Sequence, residues 1–195
     1  LLVIALGLAW LLNVQLKPQL TADPVVMIWG VGATFPLVLI FWGTYTRPTG
    51  GFRQMKDFLH EALGASLAAC RWYELLWVAA LAGIGEEFLF RGVLQTWLSQ
   101  WGPWWGLILA NIVFGLCHAI SPTYIVMAFV MGLILSGLME LPTGQPNLLT
   151  PIITHALYDF VAFSVVARDW KKLHRHSNSV TSCDLPPENT DQSAQ

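Results

Sequence analysis

From Val25 to Tyr45 the chain runs 21 residues without an Asp, Glu, Lys or Arg. At 1.5 Å per residue a helix of that length covers about 32 Å, enough to cross a hydrocarbon core about 30 Å thick. Further apolar runs follow at Trp72–Ser99, Gly102–Ala119, Tyr124–Leu141 and Leu148–Ala167, and a shorter one, Leu1–Leu16, is closed by Lys17-Pro18. Only 11% of the 195 residues are charged and 55% are hydrophobic, where a soluble domain carries about a quarter charged residues. A backbone in lipid must satisfy its own polar groups, and uninterrupted apolar runs of this length do so as helices. The expected fold is all-α: a polytopic transmembrane helix bundle of about six spans plus one amphipathic interfacial helix. Membrane lipid is therefore an expected partner, and because Leu1 is not an initiator methionine the chain is read as starting inside a hydrophobic segment, either by processing or because the true N-terminus is missing, so that this segment gives no secure signal peptide.

Four regions follow from this reading. Residues 1–46 hold two spans, residues 47–71 a connector, residues 72–170 a bundle of four spans, and residues 171–195 a polar, disordered tail. Within the connector, Phe52, Met55, Phe58, Leu59, Ala62 and Leu63 recur at helical spacing, with Arg53, Lys56, Asp57 and Glu61 between them. That pattern suits a helix lying in the interface, with a solvated connector helix as the plainer alternative. Pro151 falls where the first turn of the last helix is expected. Arg47, Arg53, Lys56 and Arg71 share one connection, Arg168, Lys171, Lys172 and Arg175 follow the last span, and four spans separate the two groups. The distribution of basic residues thus predicts both on one side, with a cytoplasmic or stromal C-terminus.

Several function classes drop out. No basic cluster of the kind that binds nucleic acid stands in the folded part, and the net charge is -2. Cys70, Cys117 and Cys183 fit neither a disulfide framework nor a zinc knuckle. No internal repeat is evident, which weighs against an inverted-repeat transporter.

Six ionisable residues lie inside the spans: Glu86, Glu87, Arg91, His118, His155 and Asp159. A charge at the bilayer centre costs roughly 2.5–3.5 kcal/mol on insertion scales, so such residues mark functional cavities. Glu87 and Arg91, four apart, share a helix face, which leaves Glu86 on a neighbouring face without a partner. The plainer alternative is a polar staple in which both acids share Arg91. Phe114 and His118 are likewise four apart, so the ring can wall the imidazole. His155 and Asp159 repeat the spacing on the last span, where a private hydrogen bond is the plainer reading. Three helices that each bring buried polar groups are most simply satisfied if those groups meet in one hydrated cavity.

Such a cavity suits water-activated hydrolysis of an amide. A glutamate in an apolar pocket can act as general base, a histidine can share in activating water or protonate the leaving amine, and a second histidine with a neighbouring donor can hold an oxyanion. The same two histidines and two carboxylates equally suit a divalent metal such as zinc.

On these residues the chain resembles the CAAX-protease and bacteriocin-processing membrane endopeptidases, also called the Abi family, relatives of the type II CAAX prenyl endopeptidase. The family pattern is Glu-Glu-x-x-x-Arg, then Phe-x-x-x-His, then His-x-x-x-Asn or Asp, matched here by Glu86, Glu87 and Arg91, by Phe114 and His118, and by His155 and Asp159. The match covers about Trp72 to Ala167. The resemblance implies an intramembrane endopeptidase of glutamate type that acts on membrane-associated peptides or proteins. Glu86 and His118 would activate water, and His155 with Asp159 would stabilise the oxyanion. Glu87, Arg91 and Phe114 would support them. It favours no cofactor; a metalloprotease with Glu86, His118, His155 and Asp159 as ligands is the alternative. Asp159 departs from the prenyl protease, which has asparagine there. An ionised aspartate cannot donate to an oxyanion, so Asp159 is protonated, orients His155 or binds a metal. Two readings of another class compete: a non-catalytic scaffold or immunity protein, and an ion or proton carrier.

Overall fold

The structure, a computed structural model, describes residues 1–183, and among these the regular structure is all helical with no β-strand. Seven helices run in chain order. They are α1 (Leu2–Leu11), α2 (Pro24–Thr46), α3 (residues 51–69), α4 (residues 72–98), α5 (Pro103–Cys117), α6 (Pro122–Glu140) and α7 (Leu149–Cys183). Local chemistry sets several of the ends. Asp23 Oδ1 accepts the Val25 N–H at 2.7 Å with Pro24 in the first turn of α2, and the Ser121 hydroxyl accepts the Tyr124 N–H at 3.2 Å ahead of Pro122 and α6. Pro151 does fall in the first turn of α7.

By length and composition α2, α6 and residues 149–175 of α7 can cross a membrane, while α1 and α5 are apolar but shorter. Residues 72–98 are long enough to cross but carry Glu86, Glu87 and Arg91. Large apolar side chains cover the outside of the bundle, among them Ile28, Trp77, Trp104 and Leu116. In water such a surface would be an aggregation liability; in a bilayer it is the solvated face. The chain is an integral membrane protein.

The central element is α7, which packs against α2 and α4 along its length and against α3 and α6 more locally. Close approach to α4 depends on Gly83, where a Cβ would stand 3.0 Å from the Ala156 backbone nitrogen, so this crossing uses the small-residue packing of membrane helices. Three apolar clusters fill the interior. One, with Phe41, Tyr45, Leu75 and Val166, lies at one end; another, with Met139, Leu148 and Ile152, lies at the α6–α7 connection. The third, Phe90, Phe114 and Ala128, packs beside the buried ionisable residues.

Two element boundaries differ from those the sequence pattern predicts. The α5 helix stops at Cys117, with His118 as its C-cap, so His118 projects from a helix end and not from within a span. The last helix continues to Cys183, well into the segment predicted as a polar tail; the rest of that tail lies outside the described residues. Contacts beyond Ala167 tie down the start of this extension. Lys56 Nζ lies 3.2 Å from Asp169 Oδ2, and the Trp170 and His174 rings stack at 3.8 Å. The expected connector helix is present, but it passes through a π-helical turn at His60–Gly64. Its docking on α7 puts the connector and residues 168–175 at the same end of the bundle.

Candidate active site

The six buried ionisable residues converge from α4, the end of α5 and α7. On α4 the two glutamates close the α-helical stretch Trp72–Glu87 and are followed at once by a π-helical stretch, Phe88–Gln95. The wider turn frees backbone carbonyls, and the Thr96 hydroxyl donates to that of Arg91 at 3.1 Å. Insertions of this kind recur at functional sites.

The two adjacent acids have opposite surroundings. Glu87 and Arg91 are fully buried, and Arg91 Nη1 donates to Glu87 Oε1 at 2.9 Å. The same oxygen accepts from His155 Nδ1 at 2.7 Å. The Arg91 guanidinium carbon stands 4.4 Å from the centre of the Phe114 ring, so the charge is walled by a π face as well as by a carboxylate. Glu86 faces the two histidines: its Oε2 is 3.9 Å from His118 Nε2 and 3.8 Å from His155 Nε2. That oxygen is buried and has no hydrogen-bond partner among the described residues.

Each imidazole is held by its other nitrogen. His118 Nδ1 lies 2.8 Å from the Phe114 carbonyl oxygen, which only accepts, so Nδ1 carries a proton and Nε2 faces Glu86. Phe114 walls His118 as its spacing predicts, with ring centres 4.6 Å apart, and it stands 6.3 Å from the His155 ring. The Glu87 carboxylate fixes the His155 ring through Nδ1, leaving Nε2 towards Glu86 and towards Asp159 Oδ2 at 3.6 Å. The private His155–Asp159 hydrogen bond, the plainer alternative for that spacing, is not made. Glu87 from another helix orients His155, and one carboxylate tethers both Arg91 and His155 across α4 and α7.

A cavity of about 190 Å³ opens beside these groups. His118, His155 and Asp159 form its polar wall, with Tyr124 and Tyr158, while apolar side chains such as Ile40, Met55, Met131 and Phe163 line the remainder. Glu86 meets this space through the two imidazoles. Glu86, His118, His155 and Asp159 are the donors a divalent metal would need, yet no three His, Cys, Asp or Glu among the described residues are placed to hold one.

The sequence pattern misses one part of the site. Asn111, also fully buried, accepts from Arg91 Nη2 at 3.3 Å and is tied in turn to Ser136 and Gln95. A signal existed, since Asn111 is the one polar residue of Pro103–Cys117. An uncharged amide in a span is a weaker sign than a carboxylate, because it finds partners at lower cost.

Residues 68–161 match the sequence family described as Type II CAAX prenyl endopeptidase Rce1-like. The matched stretch includes all six buried ionisable residues together with Phe114 and Asn111. No curated protein and no solved structure matches the chain.

Proposed function

We propose that this chain, which through residues 68–161 belongs to the CAAX-protease and bacteriocin-processing family of type II CAAX prenyl endopeptidases, is an intramembrane endopeptidase of glutamate type. Its substrates are membrane-associated peptides or proteins. The observation that carries this reading is the contrast between the two glutamates. Each acid keeps one buried oxygen without a hydrogen bond among the described residues, but Glu87 is tied to Arg91 and His155 through its other oxygen, while the unbonded oxygen of Glu86 faces two imidazoles.

In the proposed reaction a water between Glu86 and the His118 Nε2 lone pair loses a proton to Glu86 as its oxygen attacks the substrate carbonyl carbon. The carbonyl oxygen becomes an oxyanion facing His155 and Asp159. With Nδ1–H given to Glu87, His155 Nε2 donates only as an imidazolium, a charge flanked by Glu86, Glu87 and Asp159. Asp159 donates only as the carboxylic acid. Collapse of the intermediate breaks the C–N bond, the proton held by Glu86 passes to the leaving amine, and a free carboxyl and a free amine result. The apolar part of the cavity takes the hydrophobic portion of the substrate. No resident cofactor is assigned. In this reading the end of the bundle that carries Arg53, Arg71, Lys171 and Lys172 faces the cytoplasm or stroma, which the bias of basic residues supports.

Product mass spectrometry tests the activity. Membranes containing the wild-type chain should generate new peptide ends from a lipid-anchored peptide, and membranes containing Glu86→Gln should not. Identical product profiles from the two would contradict the reading.

A further inference from the structure

The buried charge pair of the site does not end at Arg91. Arg91 Nη2 donates to Asn111 Oδ1 at 3.3 Å, and Asn111 Nδ2 donates to the Leu107 carbonyl at 2.7 Å and to Ser136 Oγ at 2.9 Å. The Ser136 hydroxyl then donates to Gln95 Oε1 at 2.7 Å. The chain of bonds leaves α4 at Arg91, crosses α5 and α6, and returns to α4 one turn later. Every polar atom of the Asn111 amide is engaged, so its orientation is fixed from both sides.

Two observations show that the bundle is shaped around this unit. Asn111 is fully buried and Ser136 nearly so. On α6, a Cβ at Gly132 would collide with Asn111 Oδ1 and stand 3.1 Å from Arg91 Nη2. Only a residue without a side chain lets α6 close over the guanidinium–amide pair.

We propose that Asn111, with Ser136 and Gln95 behind it, is a positioning unit that sets His155 through Arg91 and Glu87. The inference rests on the endopeptidase reading. The geometric route is short. Glu87 Oε1 is shared by Arg91 Nη1 at 2.9 Å and His155 Nδ1 at 2.7 Å. The guanidinium is held in turn by Glu87 on one amino group, Asn111 on the other, and the Phe114 ring at 4.4 Å. If Asn111 is lost the guanidinium can rotate, the shared oxygen moves with it, and His155 Nε2 shifts against Glu86 and Asp159. Misplacement by about 1 Å costs a site of this kind about a hundredfold in rate.

The test compares kinetics per folded molecule, with folding checked by size-exclusion profile and thermal transition. Asn111→Leu, which keeps the volume and deletes the amide, should lower kcat by about 10–100-fold, the range that orienting outer hydrogen bonds carry, with KM within about twofold of wild type. Should Asn111→Leu not fold, two milder variants carry the test. Ser136→Ala should lower kcat by about 3–10-fold, an expectation scaled down from that same range, and should move the pH of half-maximal kcat, which a purely structural loss would not. Gln95→Met, without an acceptor for Ser136, should lose activity that the isosteric Gln95→Glu retains. Equal activity of Gln95→Met and Gln95→Glu, or kcat of Ser136→Ala within twofold of wild type with an unmoved pH profile, would overturn the positioning role while wild-type cleavage left the endopeptidase reading standing. A wild-type protein without Glu86-dependent cleavage would overturn that reading, and this proposal with it.

Discussion

Two polar clusters of the bundle are built from similar residues. At the end of the bundle, Asp169 Oδ2 lies 3.2 Å from Lys56 Nζ and 3.4 Å from His60 Nε2, and it accepts the Tyr45 hydroxyl at 3.1 Å. Tyr45 Oη also lies 2.7 Å from His60 Nε2. Inside the bundle, Glu86, Glu87, Arg91, His118, His155 and Asp159 assemble a second set of acids, bases and imidazoles. Composition alone would not separate them. Partner satisfaction does. The end cluster spends its one carboxylate on three partners at once, and its product is a fixed position for α3 against α2 and α7. In the inner cluster Glu87 Oε1 is shared in the same way by Arg91 and His155 while its Oε2 makes no hydrogen bond, and the buried oxygen of Glu86, also without a hydrogen bond among the described residues, stands beside two oriented imidazoles. An acid held without a partner in a desolvated place is kept for something other than cohesion.

That comparison breaks most visibly at Glu87. Glu87→Gln removes the counter-charge of a fully buried Arg91, and loss of one partner of a buried pair costs about 3–5 kcal/mol. Thermal unfolding in detergent should show a large fall in the transition temperature; a transition within a degree or two of wild type would mean that Arg91 is neutralised elsewhere. Next in size is Asp159. In a metal-free site Asp159→Asn keeps a donor of the same size, so activity should stay within about tenfold of wild type, inside the 100–10,000-fold that a lost general base removes. Chelators should change it little. Activity lost both on chelation and in Asp159→Asn, then restored by zinc, would make the protein a metalloprotease. At the end cluster the effects should be small. Asp169→Asn, in an ion pair that is partly exposed, should cost below about 1 kcal/mol and leave turnover per folded molecule unchanged. A loss of turnover there would show that the docking of α3 controls the site.

The smallest effect concerns pH. Burial pulls the His60 imidazole below its ordinary value, with Asp169 acting in the opposite direction. The unfolded chain therefore takes up a proton at His60 more readily than the folded one. Its contribution should be intact above about pH 6.5 and diminish as pH falls through that value. The difference in transition temperature between pH 7.5 and 5.5 should shrink in His60→Gln, and an unchanged difference would remove His60 from the pH response.

Much of this was legible in the residues. Charges inside otherwise apolar runs pointed to Glu86, Glu87, Arg91, His118, His155 and Asp159, because a bilayer penalises each one, and the structure brings all six together. The i,i+4 spacing also gave the Glu87–Arg91 pair and the Phe114 wall. Periodicity could not show that His155 is held by Glu87 instead of Asp159, since that contact joins helices 68 positions apart in the chain. Nor could it find Asn111, Ser136 and Gln95, whose bonds are meaningful only once α4, α5 and α6 are in register. The length of α7 was hidden for a similar reason. The start of its polar continuation is tied to Lys56 at Asp169 and carries stacked rings at Trp170 and His174, contacts that an apolar pattern does not signal.

Turnover and thermal stability of purified Glu86→Gln, measured beside Glu87→Gln on the same lipid-anchored peptide, test the division between the two acids most directly. Removing a general base should reduce turnover by at least about 100-fold. The Glu86→Gln transition temperature should stay at or above that of wild type, because that carboxylate oxygen has no hydrogen bond to lose among the described residues. Glu87→Gln should lose stability first. Near-normal turnover in Glu86→Gln, with activity lost in a Glu87→Gln protein that unfolds at the wild-type temperature, would reverse the two roles and contradict the account.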